Sequence, residues 1–334
     1  MSMRERPLVT LAVIAFNQEE YIEEAVNAAF AQTHQPLEIL LSDDSSTDST
    51  FARMEALAAA YDGPHRVRLN RNASNLHIGG HVQMVGELSS GELIVVNAGD
   101  DVSEPNRVER LVEAWLSASP RPDLLHSDTH RYSPEGELGA VVKPAALLRT
   151  NPSPLQLAES GEGVLGATQA WSRALFERFP PLGSQIHCED RILPFRAALG
   201  GGIGYVEEPL LRYRTGGISA DFLANSARET LWGSGLKVHR WLRDGFAQMQ
   251  RDLDARPDLA VAPGLRETLA RQKARNAAPL ALAGAAYGKR LGLAARLLRD
   301  AKLSWPDRLR PAFMYLAPAL WSLQLEAKRK LGRL

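Results

Sequence analysis

The sequence predicts an open α/β fold on a mostly parallel central sheet, followed by a C-terminal helical region. Three observations predict it. Short apolar runs of strand length alternate with segments of helical spacing as far as about residue 220. Acidic clusters fall at the carboxyl ends of two of these runs, which is where open α/β sheets bind ligands. Beyond residue 225 the pattern turns helical and rich in Ala, Leu and Arg.

Each element has its own reason. Leu8 to Ala15 is a nearly continuous aliphatic run, the signature of a strand buried on both faces. Ile22, Ala25, Val26, Ala29 and Phe30 recur at three and four residues, with Glu19, Glu20, Glu23 and Glu24 on the other positions, which predicts an amphipathic helix. A second strand at Ile39–Leu41 breaks into Ser42-Asp43-Asp44-Ser45-Ser46-Thr47-Asp48, rich in turn and capping residues, ahead of a helix over Phe51–Tyr61. Strands near Val67–Leu69, Leu93–Val96 and Asp123–Ser127 alternate with helices near Gly80–Leu88 and around Val108, Leu111, Val112 and Trp115. Ser133 to Glu162 is predicted to be irregular and to lie over the active face. Tyr205–Val206 and Leu210–Arg214 then precede the helical region. The expected domains are 1–225, catalytic, and 226–334, helical.

The 334 residues suffice for one large domain with an appendage or for two ordinary ones. With 39 basic and 39 acidic side chains the balance gives no sign of nucleic-acid binding. The single cysteine, Cys188, forms no intrachain disulfide, so a cytoplasmic location is expected. No run reaches the roughly 20 apolar residues of a membrane-spanning helix.

Taken singly, the acidic groups admit bland readings: Asp43, Asp44 and Asp48 as a capping turn, Asp100-Asp101 as a helix cap, Glu189-Asp190 as a solvated helix N-terminus. Their order along the chain is more specific. Val13-Ile14-Ala15-Phe16-Asn17, Gln32-Thr33, Glu38 to Asp48, Asn75-Leu76-His77-Ile78-Gly79-Gly80, Ser90 to Ile94, Ala98-Gly99-Asp100-Asp101, Cys188-Glu189-Asp190-Arg191 and Tyr213-Arg214 follow one another over residues 7–220. In this series the chain resembles the inverting glycosyltransferases of GT-A fold, the large family that includes bacterial polysaccharide and O-antigen sugar transferases.

The resemblance implies a nucleotide-sugar donor site at Ala15, Asn17, Asp43, Asp44, Asn75, Gly79, Gly80 and Arg214, with Asp44 reading the base. It implies a divalent cation, Mn2+ or Mg2+, at Asp100 and Asp101, and a general base at Asp190 with Glu189 beside it. Burial or Glu189 must raise Asp190, because an unperturbed Asp near 3.9 is a weak base for a hydroxyl. Two positions depart from the family pattern. Ala98 stands where the first Asp of an Asp-x-Asp motif is expected, and Gly216 where many relatives carry His. Arg214 is open between neutralising a diphosphate and making a structural salt bridge. His77, His81 and His187 lack zinc-centre spacing and are read as surface or packing residues, and Cys188 as a small buried residue.

The implied reaction is sugar transfer to a hydroxyl of a glycan or lipid-linked glycan in surface polysaccharide assembly. The alternative is a nucleotide-sugar binding protein with little turnover. The uncharged run Pro311–Leu325, holding Phe313, Tyr315 and Trp321 ahead of Lys328, Arg329, Lys330 and Arg333, fits either a core-packing helix or an interfacial helix at the inner face of the membrane.

Overall fold

The computed structural model describes residues 6–215, 234–301 and 303–316. Four parallel strands open the sheet in the order β3 (Arg66–Arg71), β2 (Leu37–Asp43), β1 (Val9–Ala15), β4 (Leu93–Ala98). Period-two alternation explains why their runs are continuously apolar. Leu11, Val13, Ile39, Leu41 and Val95 face one way, toward helices α1 (Ile22–Phe30), α2 (Thr50–Ala60) and α4 (Arg107–Ser117). Ala12, Leu40, Ile94 and Val96 face the other, toward α3 (His77–Leu88) and the later helices.

Past β4 the sheet departs from the alternation. A three-residue strand that the sequence reading did not anticipate, β8 (Ala170–Ser172), runs antiparallel between β4 and β6 (Leu124–Tyr132). The two expected pieces at Tyr205–Val206 and Leu210–Arg214 form one strand, β9 (Ile203–Arg214), parallel to β6. Its register shifts around Glu207 and Glu208, and Pro209 sits at that irregularity, where a missing N–H costs no ladder bond. The two-residue β5 (Val102–Ser103) pairs with β9.

Residues 133–162 are more ordered than expected. They hold β7 (Leu138–Val142), a 3-10 turn at Ala146–Arg149 and helix α5 (Pro154–Ser160). That helix starts at a capping box between Ser153 and Gln156 with Pro154 at its first position, and ends at Gly161, with φ 66°. This local signature is legible in the sequence, although the surrounding Gly and Pro argue for a loop. Helices α6 (Ala174–Glu177) and α7 (Glu189–Ala198) follow.

The expected boundary at 225 lies outside the described residues. Beyond it come α8 (Ser234–Ala255), α9 (Leu265–Gly284), α10 (Tyr287–Arg299) and α11 (Trp305–Leu316). Phe246, Met249 and Leu253 of α8 and Leu265 and Leu269 of α9 join the core that also holds Val82 and Val85 of α3 and Ile192 of α7. Arg196 on α7 meets Asp252 on α8 through two bonds of 2.8 Å, Nε to Oδ2 and Nη2 to Oδ1, with both side chains fully buried. Gln248 also donates to Asp252. Arg196→Met leaves a buried carboxylate without its counter-ion, and a stability loss of about 3–5 kcal/mol is expected in urea unfolding. A loss under about 1 kcal/mol would show that the pair does not hold the helical region in place.

Candidate active site

Ala15, Asp43 and Ala98 stand at one level, at the carboxyl ends of adjacent strands: Ala15 pairs with Asp43, and Ile14 with Ala98. The chain turns outward just beyond them. Asp44 N donates to Ala15 O at 2.9 Å and Gly99 N to Ile14 O at 2.9 Å. Asn17 has φ 52°, and its Oδ1 accepts from Thr47 N at 2.9 Å while its own N donates to Ser46 Oγ. It locks the β1 exit to the Ser45–Asp48 turn, where Asp48 caps α2 through Thr50 N.

The two Asp residues of this turn are buried, and each uses one oxygen on its scaffold. Asp43 Oδ2 accepts from Ser46 N at 2.9 Å, and its Oδ1 is buried without a partner among the described residues. Asp44 Oδ1 accepts from Asn72 Nδ2 and from Leu76 N, both at 2.8 Å. Behind them Asn72, Asn70, Ser42 and His81 form one buried chain of hydrogen bonds, with Ser42 Oγ 2.7 Å from His81 Nε2. Burial lowers the His81 pKa.

Asn75 and the two glycines begin α3. Asn75 Oδ1 accepts from His77 N at 2.8 Å. Gly79 N donates to Ile186 O at 3.1 Å, and a Cβ at Gly79 would come within 2.6 Å of that carbonyl, so only glycine permits the approach. This contact ties the Asn75–Gly80 loop to the segment that leads into Glu189. His77, His187 and Trp241 stack in series alongside, with ring centroids 5.2 and 4.9 Å apart. Cys188 is buried, and its Sγ donates to Trp241 O at 3.4 Å, a packing role.

Glu189 and Asp190 open α7, half-exposed at its first turn. Burial of their surroundings raises both carboxyls, and repulsion from Asp190 adds to the rise at Glu189, which reaches about 8. Backbone amides of the first turn offset part of this. The pair is held by residues 163–166. Val164 N donates to Asp190 O at 2.9 Å, a Cβ at Gly163 would come within 2.9 Å of Asp190 Oδ2, and one at Gly166 within 3.3 Å of Glu189 Oε1.

Asp100 and Asp101 differ. Asp100 is half-exposed; burial raises it, while the Arg214 charge and Gln18 pull it partway back. Asp101 is enclosed at 1% exposure. Its Oδ1 accepts from Arg214 N at 2.8 Å, its Oδ2 has no partner among the described residues, and burial followed by repulsion from Asp100 lifts it well above the ordinary Asp value. Among the described residues no group of three or more His, Cys, Asp and Glu is arranged to hold a metal.

Arg214 lies between the rings of Tyr21 and Tyr132, at 4.3 and 4.6 Å from their centroids. It ion-pairs with Glu24 and donates to the carbonyls of Asp100, Ser133 and Pro134. Of its two expected roles, this geometry supplies the structural salt bridge. Gly216 is outside the described residues.

Arg107, which the sequence reading passed over, is wholly buried. It donates to Val96 O and Ala167 O at 2.8 and 2.6 Å, to Ser103 Oγ at 2.9 Å and to Asn97 Oδ1 at 3.3 Å. It thereby joins the strand carrying the Asp100-Asp101 loop to the turn that follows Gly166. The acidic segments are thus linked in a ring of loops: 44 to 76, 79 to 186, 190 to 164, 167 to 107, and 101 to 214.

A sequence-family model described as Glycosyl transferase family 2 matches residues 10–121. An uncharacterised glycosyltransferase of Haemophilus influenzae is 30% identical over 110 residues, 33% of this chain and 33% of that protein. EpsE of Bacillus subtilis is 29% identical over 143 residues, 43% of this chain and 50% of that protein. The chain therefore spans a third to a half of the length of these relatives. Among solved structures, Staphylococcus aureus TarS 1-349 in complex with UDP-GlcNAc aligns with a TM-score of 0.57 at 15% identity, over 97% of this chain and 92% of that one. The mannosyltransferase PcManGT of Pyrobaculum calidifontis, in complex with GDP-Man and Mn2+, aligns with a TM-score of 0.50 at 17% identity, over 96% of this chain and 89% of that one. The chain has the GT-A glycosyltransferase fold, and the glycosyl transferase family 2 model matches its residues 10–121.

Proposed function

We propose that the chain is an inverting glycosyltransferase that moves a sugar from a nucleotide-sugar donor to a hydroxyl acceptor, a glycan or lipid-linked glycan. The observation that carries the reading is Asp190, a half-exposed carboxyl raised by its surroundings and held in one ring of loops with Asp43, Asp44 and Asp100. In the proposed step the acceptor oxygen bonds to the anomeric carbon as the bond from that carbon to the diphosphate oxygen breaks. The hydroxyl proton passes to Asp190, and the nucleoside diphosphate leaves.

Asp43 and Asp44 each anchor the loop with one oxygen, and the unpartnered Oδ1 of Asp43 suits an N–H of the base. Nucleotide sugars in the TarS and PcManGT structures support this class of donor. The residues also fit a divalent cation. Such ions, Mg2+ above all, are commonly held by one or two carboxylates together with substrate phosphates, not by an all-protein cage, so a single accessible Asp100 suffices. When bound, the cation would neutralise the leaving diphosphate. Asp101 holds the loop that presents Asp100, and Arg214 holds Asp101. Residues 1–225 are the proposed catalytic domain and 226–334 the helical region, in a cytoplasmic protein acting at the inner face of the membrane in polysaccharide assembly.

Isothermal titration of UDP, GDP and dTDP, with and without manganese, tests this. One nucleotide is expected to bind with metal dependence that Asp100→Ala removes. No binding of any of the three would sink the donor assignment. Binding without sugar turnover would leave a nucleotide-sugar binding protein.

A further inference from the structure

The C-terminal helices carry a surface unlike the rest of the chain. Helix α11 buries Ala312 and Tyr315 against Leu282, Ala294, Leu297 and Leu303. It leaves Trp305, Leu309 and Phe313 exposed at 61%, 40% and 40%. A spacing of four places these three side chains on one stripe of the helix. Isolated surface apolar residues need no explanation, but a stripe led by an exposed Trp does.

Charge distinguishes the same region. Seven Lys or Arg stand against two Asp over residues 287–316, whereas the rest of the chain carries 32 basic against 37 acidic side chains. Lys289, Arg296 and Arg299 on α10 are exposed, whereas Asp307 is ion-paired with Arg275 at 2.9 Å and adds little negative field. No described helix is long and apolar enough to cross a membrane.

We propose that these two helices, with Trp305, Leu309 and Phe313 of α11 as the apolar stripe and the exposed Lys289, Arg296 and Arg299 of α10 as the cations, dock on an anionic lipid surface. Exposed aromatics suit the headgroup boundary, and cations beside them select anionic lipid. A second copy of the chain is a poorer partner, because it would bring an equally basic face. The proposal stands apart from the reading of the active site, since it requires no turnover.

Co-sedimentation of the intact chain with phosphatidylcholine vesicles, with or without about a third phosphatidylglycerol, tests it. The chain is expected to pellet with the anionic vesicles, less so as salt is raised, and to remain in solution with neutral ones. Trp305→Gln with Leu309→Gln should weaken binding about tenfold or more. Lys289→Glu with Arg296→Glu should abolish the preference for anionic lipid, and both double variants should melt like the parent. Failure of the parent to pellet, or undiminished pelleting of both double variants, would overturn the proposal. A concentration-dependent dimer that Trp305→Gln with Leu309→Gln dissolves, without vesicle binding, would assign the face to a second copy instead.

Discussion

Asp190→Asn is expected to fold, to bind the donor nucleotide as the parent does, and to turn over about 10²–10⁴-fold more slowly, the range for loss of a positioned base. Asn is close in shape but accepts no proton. The pH profile adds a second readout. A base works deprotonated, so kcat/KM falls as pH drops through its folded pKa. Because Asp190 is raised by burial, that fall is expected above the usual carboxylate range. Glu189, raised to about 8 by burial and by repulsion from Asp190, titrates together with it, so the profile carries the inflections of the pair. Glu189→Gln mimics its protonated form, so this variant should keep most activity and lose the inflection near 8. If Asp190→Asn stays within about tenfold of the parent, the base lies elsewhere.

Arg107→Met is expected to cost about 3–5 kcal/mol of stability and most of the activity. The guanidinium sits without solvent, and burial lowers its pKa to about 10, so it is still charged at neutral pH. Removing it leaves the carbonyls of Val96 and Ala167 and the oxygens of Asn97 and Ser103 short of a donor, and it takes away a positive charge that favours ionised Asp101. Both the Asp100-Asp101 loop and the turn after Gly166 then lose a common anchor. Arg107→Lys keeps the charge without the planar fork and should fall between the two. Urea unfolding gives the first effect, and turnover under conditions where each variant is folded gives the second. An Arg107→Met variant as stable and active as the parent would mean that the two segments are held by other contacts.

Local patterns made much of the fold legible. The aliphatic runs ending at Ala15, Leu41 and Val96 became three adjacent parallel strands because a strand buried on both faces is apolar at nearly every position. Helices α1 and α4 announced themselves by their spacing, and α2 by the turn and capping residues ahead of it. The one overlooked helix with a local signal is α5, whose Ser153-Pro154-Leu155-Gln156 start is a capping box. Strand β8 had no such signal, since three residues carry no periodicity and only the edges of β4 and β6 call for them.

The site divides the same way. Its acids stand in the sequence at turns and helix starts, in an order whose resemblance to the glycosyltransferase pattern singled out Asp43, Asp44, Asp100, Glu189 and Asp190. Their differences could not be read there. Asp100 and Asp101 are neighbours in the chain, yet one is open to solvent and the other closed behind the backbone of Arg214, 113 residues away. The sequence by itself determined which elements form and which carboxylates end them, because backbone preference and hydrophobic period act over a few residues. Only the tertiary structure decided that Arg107 anchors two loops, that Arg214 is engaged by Glu24 and three carbonyls, and that α8 closes onto α7. Those outcomes depend on burial and on hydrogen bonds between residues distant in the chain, and they exist only once the chain has packed.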